Sequence, residues 1–382
     1  MREIYLDNSA STPVAPEVLE AMLPYLNEYY GNPSSRHKKG IETERAIKEG
    51  RQIVADALHV KSSEVFFTSG ATEADNFAIK GAAHALKRHG MHIVTQKTEH
   101  EAVIESCHAL EKDGFELTYL DTDEYGNINK EELVNAVRED TTLVAIMHVN
   151  NELGTVHPIN EYAEAVKLKN PKTLFFSDGV QAVGKLDVDL ENIDMYSFSG
   201  HKIHGPKGIG AIVVKEGVNI EPVLHGGGQE RGLRSGTENV PGIVGLSEAV
   251  KISYENLEIN SKKMKELQEE FIRTLKEVPD VRINSPKDGL LNIVNIAFKG
   301  IPSEILLHAI EERGIFASSG SACGAGKQEI SHVLEAINIP YEYAVSSLRF
   351  SFSRYNTEEE IIYTCKTLKE IIPNLRNVVA RM

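Results

Sequence analysis

The stretch Tyr196-Ser-Phe-Ser-Gly-His-Lys-Ile-His-Gly-Pro-Lys-Gly208 decides how the rest of the sequence is interpreted. The apolar run at residues 195–198 predicts a buried strand that ends near Ser199, and a glycine-rich turn with two histidines and two lysines follows it. An ammonium group at the end of a buried strand loses hydration, which lowers its pKa and makes the neutral amine nucleophilic. The stretch therefore indicates either an ordinary glycine turn with solvated lysines or a lysine that forms a Schiff base.

Length and composition restrict the possible classes of protein. The chain has 382 residues, more than the roughly 250–300 at which a single core stops growing, so we expect two domains. A net charge of −15 argues against nucleic acid or an anionic membrane surface as the main partner. The N-terminus shows no apolar signal-peptide core, and no apolar run approaches about 18 residues. We therefore expect a cytoplasmic protein with no direct nucleic-acid or membrane partner.

Short apolar stretches alternate with stretches of helical spacing. The apolar stretches are residues 65–67, 92–95, 117–120, 143–147, 174–176, 195–198 and 209–214. This alternation predicts an α/β fold with a mostly parallel central sheet that is covered on both faces. Ligands bind beyond the carboxyl ends of the strands in such sheets, so polar residues at those ends are candidates for a site.

The remaining periodicity predicts the domain organisation. Helical spacing predicts one helix over residues 14–29 and one long helix, or two, over 240–275. The chain beyond them predicts a smaller α+β unit, with strands near 281–284 and 291–298 and helices near 304–312 and 357–368. We predict a large α/β domain of residues 15–255 and a small α+β domain of residues 1–14 and 256–382.

Two strand ends carry groups that suit a phosphate and a planar ring. Ser69-Gly-Ala-Thr72 lies between a strand and a helix N-terminus, where free N–H groups and the helix dipole favour an anion such as phosphate. Serine and threonine also cap helices without binding anything. His100 ends another strand and opens a helix, so it could stack on a ring, act as a base or cap the helix.

Asp178 and Lys202 are predicted to meet at one edge of the sheet. A carboxylate beside the apolar strand at 174–176 is costly unless a cation meets it, whether a lysine, a metal or a protonated heterocyclic nitrogen. Asp178 precedes Lys202 by 24 residues, the length of one strand–helix–strand unit. An aspartate at a pyridinium nitrogen together with a lysine Schiff base is the arrangement that binds pyridoxal 5'-phosphate.

Five motifs resemble those of a known family. They are Thr68-Ser-Gly-Ala-Thr-Glu73, Thr98-Glu-His100, His148-Val-Asn-Asn-Glu152, Ser197-Phe-Ser-Gly-His-Lys202 and Arg234-Ser-Gly-Thr237. In order and spacing they are similar to the fold-type I, class V aminotransferase group, and within it to cysteine desulfurases of the NifS/IscS type. The resemblance covers nearly the whole chain and implies the fold of pyridoxal-phosphate-dependent transferases of fold type I.

The resemblance implies a role for each residue of the cofactor site. Lys202 would hold pyridoxal 5'-phosphate as a Schiff base. Lys207 competes for that role, but it follows Pro206 and lies further from the strand end, so we prefer Lys202. Asp178 would pair with the ring nitrogen, and Gln181 would donate to the phenolic oxygen. His100 would stack on the ring. The groups expected at the phosphate are Ala71, Thr72, Ser199, Gly200, His201 and, from the second subunit of a homodimer, Thr237.

Substrate binding and sulfur transfer are also implied by the resemblance. Asn151, Asn8 and Arg349 would contact L-cysteine, with Arg349 clamping its carboxylate. Cys323 lies in Ala317-Ser-Ser-Gly-Ser-Ala-Cys-Gly-Ala-Gly326, whose small residues predict a mobile segment. Its thiolate would attack the substrate sulfur, leaving a persulfide on Cys323 and releasing alanine, with His100 as a proton shuttle. The sulfur would pass to an iron–sulfur scaffold or to a protein of tRNA or cofactor thiolation.

Two further hypotheses remain open on the sequence. One is a related pyridoxal enzyme, either a selenocysteine lyase or a small-amino-acid aminotransferase, and Cys323 argues against the aminotransferase. The other is a metal-binding protein or hydrolase that uses His100, Asp178, His201 and His204. These four residues form no compact ligand motif such as HExxH, so we expect no metal.

Overall fold

The computed structural model describes residues 3–319, the backbone of 323–324 and 327–328, and residues 330–381. Over these residues the helices are α1 (Pro16–Met22), α2 (Pro24–Asn27), α3 (Lys38–Ala57), α4 (Ala71–Leu86), α5 (Glu101–Lys112), α6 (Lys130–Ala136), α7 (Ile159–Lys169), α8 (Val240–Glu255), α9 (Leu257–Leu275), α10 (Ser303–Glu311), α11 (His332–Ala336), α12 (Tyr341–Ala344) and α13 (Glu358–Val379).

The strands fall into one large sheet, one smaller sheet and two short pairs. They are β1 (Ile4–Tyr5), β2 (Val65–Thr68), β3 (His92–Gln96), β4 (Glu116–Leu120), β5 (Thr141–Ala145), β6 (Leu174–Asp178), β7 (Met195–Ser199), β8 (Gly210–Val214), β9 (Val281–Ile283), β10 (Ile293–Phe298), β11 (Ile315–Phe316), β12 (Ser318–Ser319), β13 (Cys323–Gly324), β14 (Lys327–Gln328) and β15 (Ser347–Ser351). None of the helices in these described segments has the length and apolar character needed to cross a membrane.

The large sheet has seven strands in the order β2-β8-β7-β6-β5-β3-β4. Strands β4, β3, β5, β6 and β7 pair in parallel, and β8 runs antiparallel to both of its neighbours. Successive residues point to opposite faces: Phe175 enters the core under α3, α7 and α8, and Phe176 enters the core under α4 and α5. Both faces are covered, which explains why these strands are nearly continuous apolar runs. The predicted α/β fold class is confirmed.

A second core lies around the smaller sheet, whose order is β12-β15-β10-β9. Helices α9 and α13 pack on this core, and Ile4 and Leu6 from the start of the chain are completely buried in it. β1 pairs with β11, so the N-terminal segment joins the C-terminal part of the chain. The division into residues 15–255 on one side and 1–14 with 256–382 on the other stays a prediction, and these two cores are the observation that supports it.

Two details differ from the sequence-based expectations. The helix predicted over residues 14–29 is two helices, because Pro24 has no N–H to continue α1 and instead begins α2. Strand β15 was not predicted, since serines flank Leu348, Arg349 and Phe350 on both sides, yet all five residues of the strand are buried. The stretch 240–275, predicted as one long helix or two, is two helices that meet at Asn256.

The ends of β6 and β7 hold the predicted site residues in register. Asp178 is the last residue of β6 and pairs with Ser197 of β7. The next residue, Gly179, lies directly against the buried ring of Tyr196, and a Cβ at this position would come within 2.0 Å of Tyr196 Cζ. Only glycine lets the chain turn at this point while Asp178 keeps its position.

We expect Gly179→Ala to lower the free energy of unfolding by about 3 kcal/mol, because the added methyl group must displace a completely buried ring. Urea denaturation followed by far-ultraviolet circular dichroism would measure this change.

Gly217→Ala is the matched control for Gly179→Ala. Gly217 has a φ of 89° and nothing within 4 Å of an added Cβ, so only backbone strain of about 1 kcal/mol is expected. Equal losses in the two variants would contradict the steric role of Gly179.

Candidate active site

A cavity of about 660 Å³ opens at the carboxyl ends of the central strands. It brings together most of the residues that the sequence predicts for one site. The predicted residues that line it are Ala71, Thr72, His100, Asn151, Asp178, Gln181, Ser199, His201, Lys202 and Arg349. Residues from four separate motifs and from β15 therefore meet at one place, as the rule for parallel sheets predicts.

One end of the cavity can hold an anion. Helix α4 begins at Ala71, so the unpaired N–H groups of its first turn and the positive end of its dipole lie at the cavity wall. Ser199 and His201 line the same cavity. Burial, together with the charge of Lys202, lowers the pKa of His201 to about 4, so its imidazole is neutral at pH 7. These are uncharged hydrogen-bonding groups, which suit a phosphate that the helix dipole already attracts.

The Asp178 carboxylate is buried without an ion-pair partner among the residues that the structure describes. Its Oδ1 atom accepts a hydrogen bond of 2.8 Å from the N–H of Val180. Burial raises the pKa of Asp178, while His100 and Lys202 oppose that rise. A buried carboxylate that faces a cavity favours a cation or a protonated ring nitrogen in that cavity.

Asp75 is a part of the site that the sequence analysis missed. It lies on α4 and is completely buried, with its Oδ1 accepting a hydrogen bond of 2.6 Å from the Ser197 hydroxyl. Burial, with the charge of Asp178 in addition, raises the pKa of Asp75 well above its ordinary value, which favours the protonated form of this carboxyl. The available signal was a carboxylate between Ala74 and Ala78 on the apolar face of a predicted helix.

Lys202 is the desolvated lysine of the cavity. Its Nζ atom donates to the carbonyl oxygens of Ser9, at 2.6 Å, and Ala10, at 2.9 Å. Burial, with a contribution from Arg349, lowers its pKa to about 8, although Asp178 and Asp7 oppose the shift. Lys207 lines the same cavity but is exposed to solvent. Lys202 is thus the lysine whose surroundings favour the neutral, nucleophilic amine.

His100 and Arg349 each leave hydrogen-bonding capacity unused beside the cavity. His100 is the N-cap of α5, with its Nδ1 accepting from Ala102 N at 3.1 Å, and its ring is exposed. Arg349 donates to Asp7 Oδ1 at 2.8 Å and to Asn151 O at 2.9 Å, while its buried Nε has no partner among the described residues. A guanidinium held in this way, with one N–H unused, suits a carboxylate ligand.

Four predicted residues lie elsewhere. Asn8 lines a second cavity of about 230 Å³ on the other side of Lys202, and its amide donates to Ser351 O at 2.8 Å. Gly200 is buried in the turn that leads to Lys202. Thr237 lines a smaller neighbouring cavity with Ser69 and Arg234 and does not line the Lys202 cavity of its own chain. For Cys323 only the backbone in β13 is described, and its side chain lies outside the described residues.

The four residues of the metal hypothesis are only partly brought together. Ligand atoms of His100 and Asp178 lie within 4.8 Å of each other and of Asp75. His201 and His204 are not part of this group among the described residues: His201 Nδ1 is 3.3 Å from Ser11 Oγ, and His204 Nδ1 is 3.0 Å from Pro13 O. The group around Asp178 is therefore one histidine with two carboxyls, and Asp75 of this group does not line the cavity.

Comparison with known proteins identifies the family. The aminotransferase class-V family matches residues 4–363. The chain is 46% identical over 380 residues to cysteine desulfurase IscS of Methanosarcina thermophila, covering 99% of this chain and 94% of the relative. It is also 46% identical over 383 residues to cysteine desulfurase IscS of Clostridium botulinum strain Hall, covering 99% and 96%.

Solved structures agree with the sequence relatives. A NifS-like protein superposes with a TM-score of 0.93 at 40% identity, covering 98% of this chain and 100% of that one. A NifS-like protein from Rickettsia africae superposes with a TM-score of 0.88 at 30% identity, covering 97% and 100%. The family resemblance drawn from the five motifs is confirmed. The chain belongs to the class-V aminotransferase family and, within it, to the cysteine desulfurases.

Proposed function

We propose that this protein is a pyridoxal 5'-phosphate-dependent cysteine desulfurase that converts L-cysteine to L-alanine and retains the sulfur as a persulfide on Cys323. The observation that carries this proposal is the meeting of the buried Asp178 carboxylate and the desolvated Lys202 amine at one cavity. This cofactor requires two groups from the protein, a carboxylate at its ring nitrogen and an amine that reacts with its aldehyde. Relatives named cysteine desulfurase IscS support the choice of reaction.

The residues of the cavity fit the cofactor. Asp178 would hold the ring nitrogen and Lys202 the aldehyde carbon. His100, which is exposed at the N-terminus of α5, would cover one face of the ring, and Gln181 would donate to the phenolic oxygen. The phosphate would lie at the start of α4, against Ala71, Thr72, Ser199, Gly200 and His201. When bound, this cofactor supplies an electron sink that makes the Cα proton of an amino acid acidic.

The remaining groups serve the substrate and the sulfur. Arg349 would bind the carboxylate of L-cysteine with its unused Nε–H, and Asn151 and Asn8 are the further groups proposed to contact the substrate. His100 would carry a proton at its Nε2 atom, because Nδ1 accepts from the backbone. The Cys323 thiolate would form the new S–S bond as the C–S bond of the substrate breaks. In sum, L-cysteine and a thiol become L-alanine and a persulfide.

The proposal extends to partners and location. We propose a homodimer in which Thr237 contributes to the phosphate site of the other subunit, since in its own chain it lines a separate cavity. The persulfide would serve an acceptor protein, either an iron–sulfur scaffold or a protein of tRNA or cofactor thiolation, in the cytoplasm. The large domain of residues 15–255 would hold the cofactor, and the small domain would carry the Cys323 segment.

The lysine assignment is tested by trapping the cofactor. Purified protein loaded with pyridoxal 5'-phosphate should be yellow, and borohydride reduction followed by peptide mass spectrometry should place the label on Lys202. Lys202→Ala should lose the reducible label, because the other lysine that lines this cavity among the described residues, Lys207, is exposed to solvent. Lys207→Ala is the control and should keep it. Labelling of Lys207 in the wild type would overturn the assignment.

The lowered pKa of Lys202 predicts the pH dependence of cofactor loading. For a lysine with a pKa of about 8, the neutral fraction rises roughly tenfold per pH unit below pH 8 and changes little above pH 8. The rate at which cofactor-free protein binds pyridoxal 5'-phosphate, followed by visible absorbance, should therefore rise from pH 6 and level off near pH 8. A rate that keeps rising to pH 10 would show an ordinary lysine pKa.

The reaction assignment depends on Cys323. We expect Cys323→Ser to reduce sulfide release from L-cysteine by roughly 100-fold or more while the yellow cofactor stays bound. Cys365→Ala is the control, because Cys365 is buried in the second core and burial raises its pKa to about 12. It should keep normal activity. Unchanged sulfide and alanine formation in Cys323→Ser would contradict the persulfide route.

A further inference from the structure

Lys185 makes a contact that the proposed reaction does not use. Its Nζ atom donates a hydrogen bond of 2.8 Å to Oε1 of Gln181. Lys185 lines the second cavity of about 230 Å³, whereas Gln181 lines the larger cavity with Asp178 and Lys202. Lys185 therefore lies directly behind Gln181 and contacts the candidate cofactor cavity only through it.

We propose that Lys185 is a positioning residue that holds the Gln181 amide with its nitrogen toward the cofactor cavity. A glutamine amide presents an acceptor oxygen and a donor nitrogen of nearly equal shape, so neighbouring groups decide which one faces a ligand. The inference rests on the proposed function, in which Gln181 donates to the phenolic oxygen of pyridoxal 5'-phosphate.

The contacts of Gln181 leave one donor free. Its side chain is almost completely buried, at 2% exposure. One N–H of Nε2 goes to the carbonyl oxygen of Ser9 at 3.0 Å, and Oε1 receives Lys185. The second N–H has no protein acceptor among the described residues, so it is available to an acceptor in the cavity. Turning the amide over would set its NH₂ group against the donor of Lys185 and its oxygen against a carbonyl.

The backbone holds Lys185 at this position. The turn after β6 brings residues 181 and 185 together, since the N–H groups of Lys185 and Leu186 both donate to the Ala182 carbonyl oxygen, at 3.0 and 2.9 Å. Gly184 has a φ of 71°, and a Cβ on it would come within 2.8 Å of Ser253 and 3.1 Å of Ile203. The direction of the Lys185 side chain is thus set by a glycine that packs closely against α8 and the Lys202 turn.

A lysine here is electrostatically unfavourable, which argues for a specific role. No described carboxylate pairs with Lys185, and burial, with Lys202 and Arg349 in addition, lowers its pKa to about 7. Both the ammonium and the neutral amine carry N–H groups, so the bond to Gln181 persists in either state. An apolar residue would fill the same space without this desolvation cost.

The test is a titration of the cofactor's visible absorption in holoenzyme variants. An N–H that donates to the phenolic oxygen stabilises the negative charge on that oxygen. The bound cofactor then loses its proton at a lower pH. We therefore expect Lys185→Met and Gln181→Met each to raise the pH midpoint of the spectral change by about one unit. Lys185→Arg keeps a donor and should titrate like the wild type. Lys167→Met, which removes a lysine paired with Asp194 at 2.8 Å, is the control and should also do so.

The double variant separates positioning from a through-space effect of charge. If Lys185 acts through Gln181, adding Lys185→Met to Gln181→Met causes no further shift. A shift of equal size in both backgrounds, or no shift in Lys185→Met alone, overturns the inference. Should Lys185→Met not fold, Lys185→Leu, which also lacks a donor, is titrated instead, and an unchanged midpoint contradicts the inference. A wild type without a visible cofactor band would refute the proposed function itself, since the band is required before any variant is compared.

Discussion

The burial of the Asp178 carboxylate at the end of β6 is the constraint on which the rest of the site depends. Its position is set by the pairing of β6 with β7 and by the contact of Gly179 with the Tyr196 ring. An unpaired carboxylate in such surroundings is costly, so the cavity must offer positive charge or a protonated ligand. Lys202, on the turn after the neighbouring strand, supplies part of that charge, and its own burial lowers its pKa.

The first residues of the chain connect the two cores at this cavity. Ile4 and Leu6 are buried in the second core, and the segment that follows them reaches the cavity. The Ser9 carbonyl accepts from both Gln181 and Lys202. Asp7 pairs with Arg349 on β15 of the smaller sheet. One short segment therefore holds Gln181 and Lys202 through a backbone carbonyl and Arg349 through an ion pair, and so couples the two cores at the cavity.

Much of the fold and of the site could be predicted because local patterns report it directly. Apolar runs predicted the central strands to within a few residues, and the spacing from Asp178 to Lys202 predicted that they share an edge. Pro24 was visible in the sequence, but the helical spacing around it obscured the break between α1 and α2. β15 could not be predicted from its own residues, since its serines are buried by packing against distant strands.

The sequence by itself determined the order of strands and helices, the residues at the strand ends and the family. Those features depend on periodicity and on motifs that are local in the chain. Only the tertiary structure decided that Asp75 adds a second buried carboxyl beside Asp178 and that Lys185 lies behind Gln181. Both effects depend on burial and on contacts between separate elements or across a turn, which no local pattern specifies. The sequence favoured Lys202 over Lys207 because Lys202 lies nearer the strand end, and the structure supplied the physical reason, since Lys202 is desolvated and Lys207 is exposed.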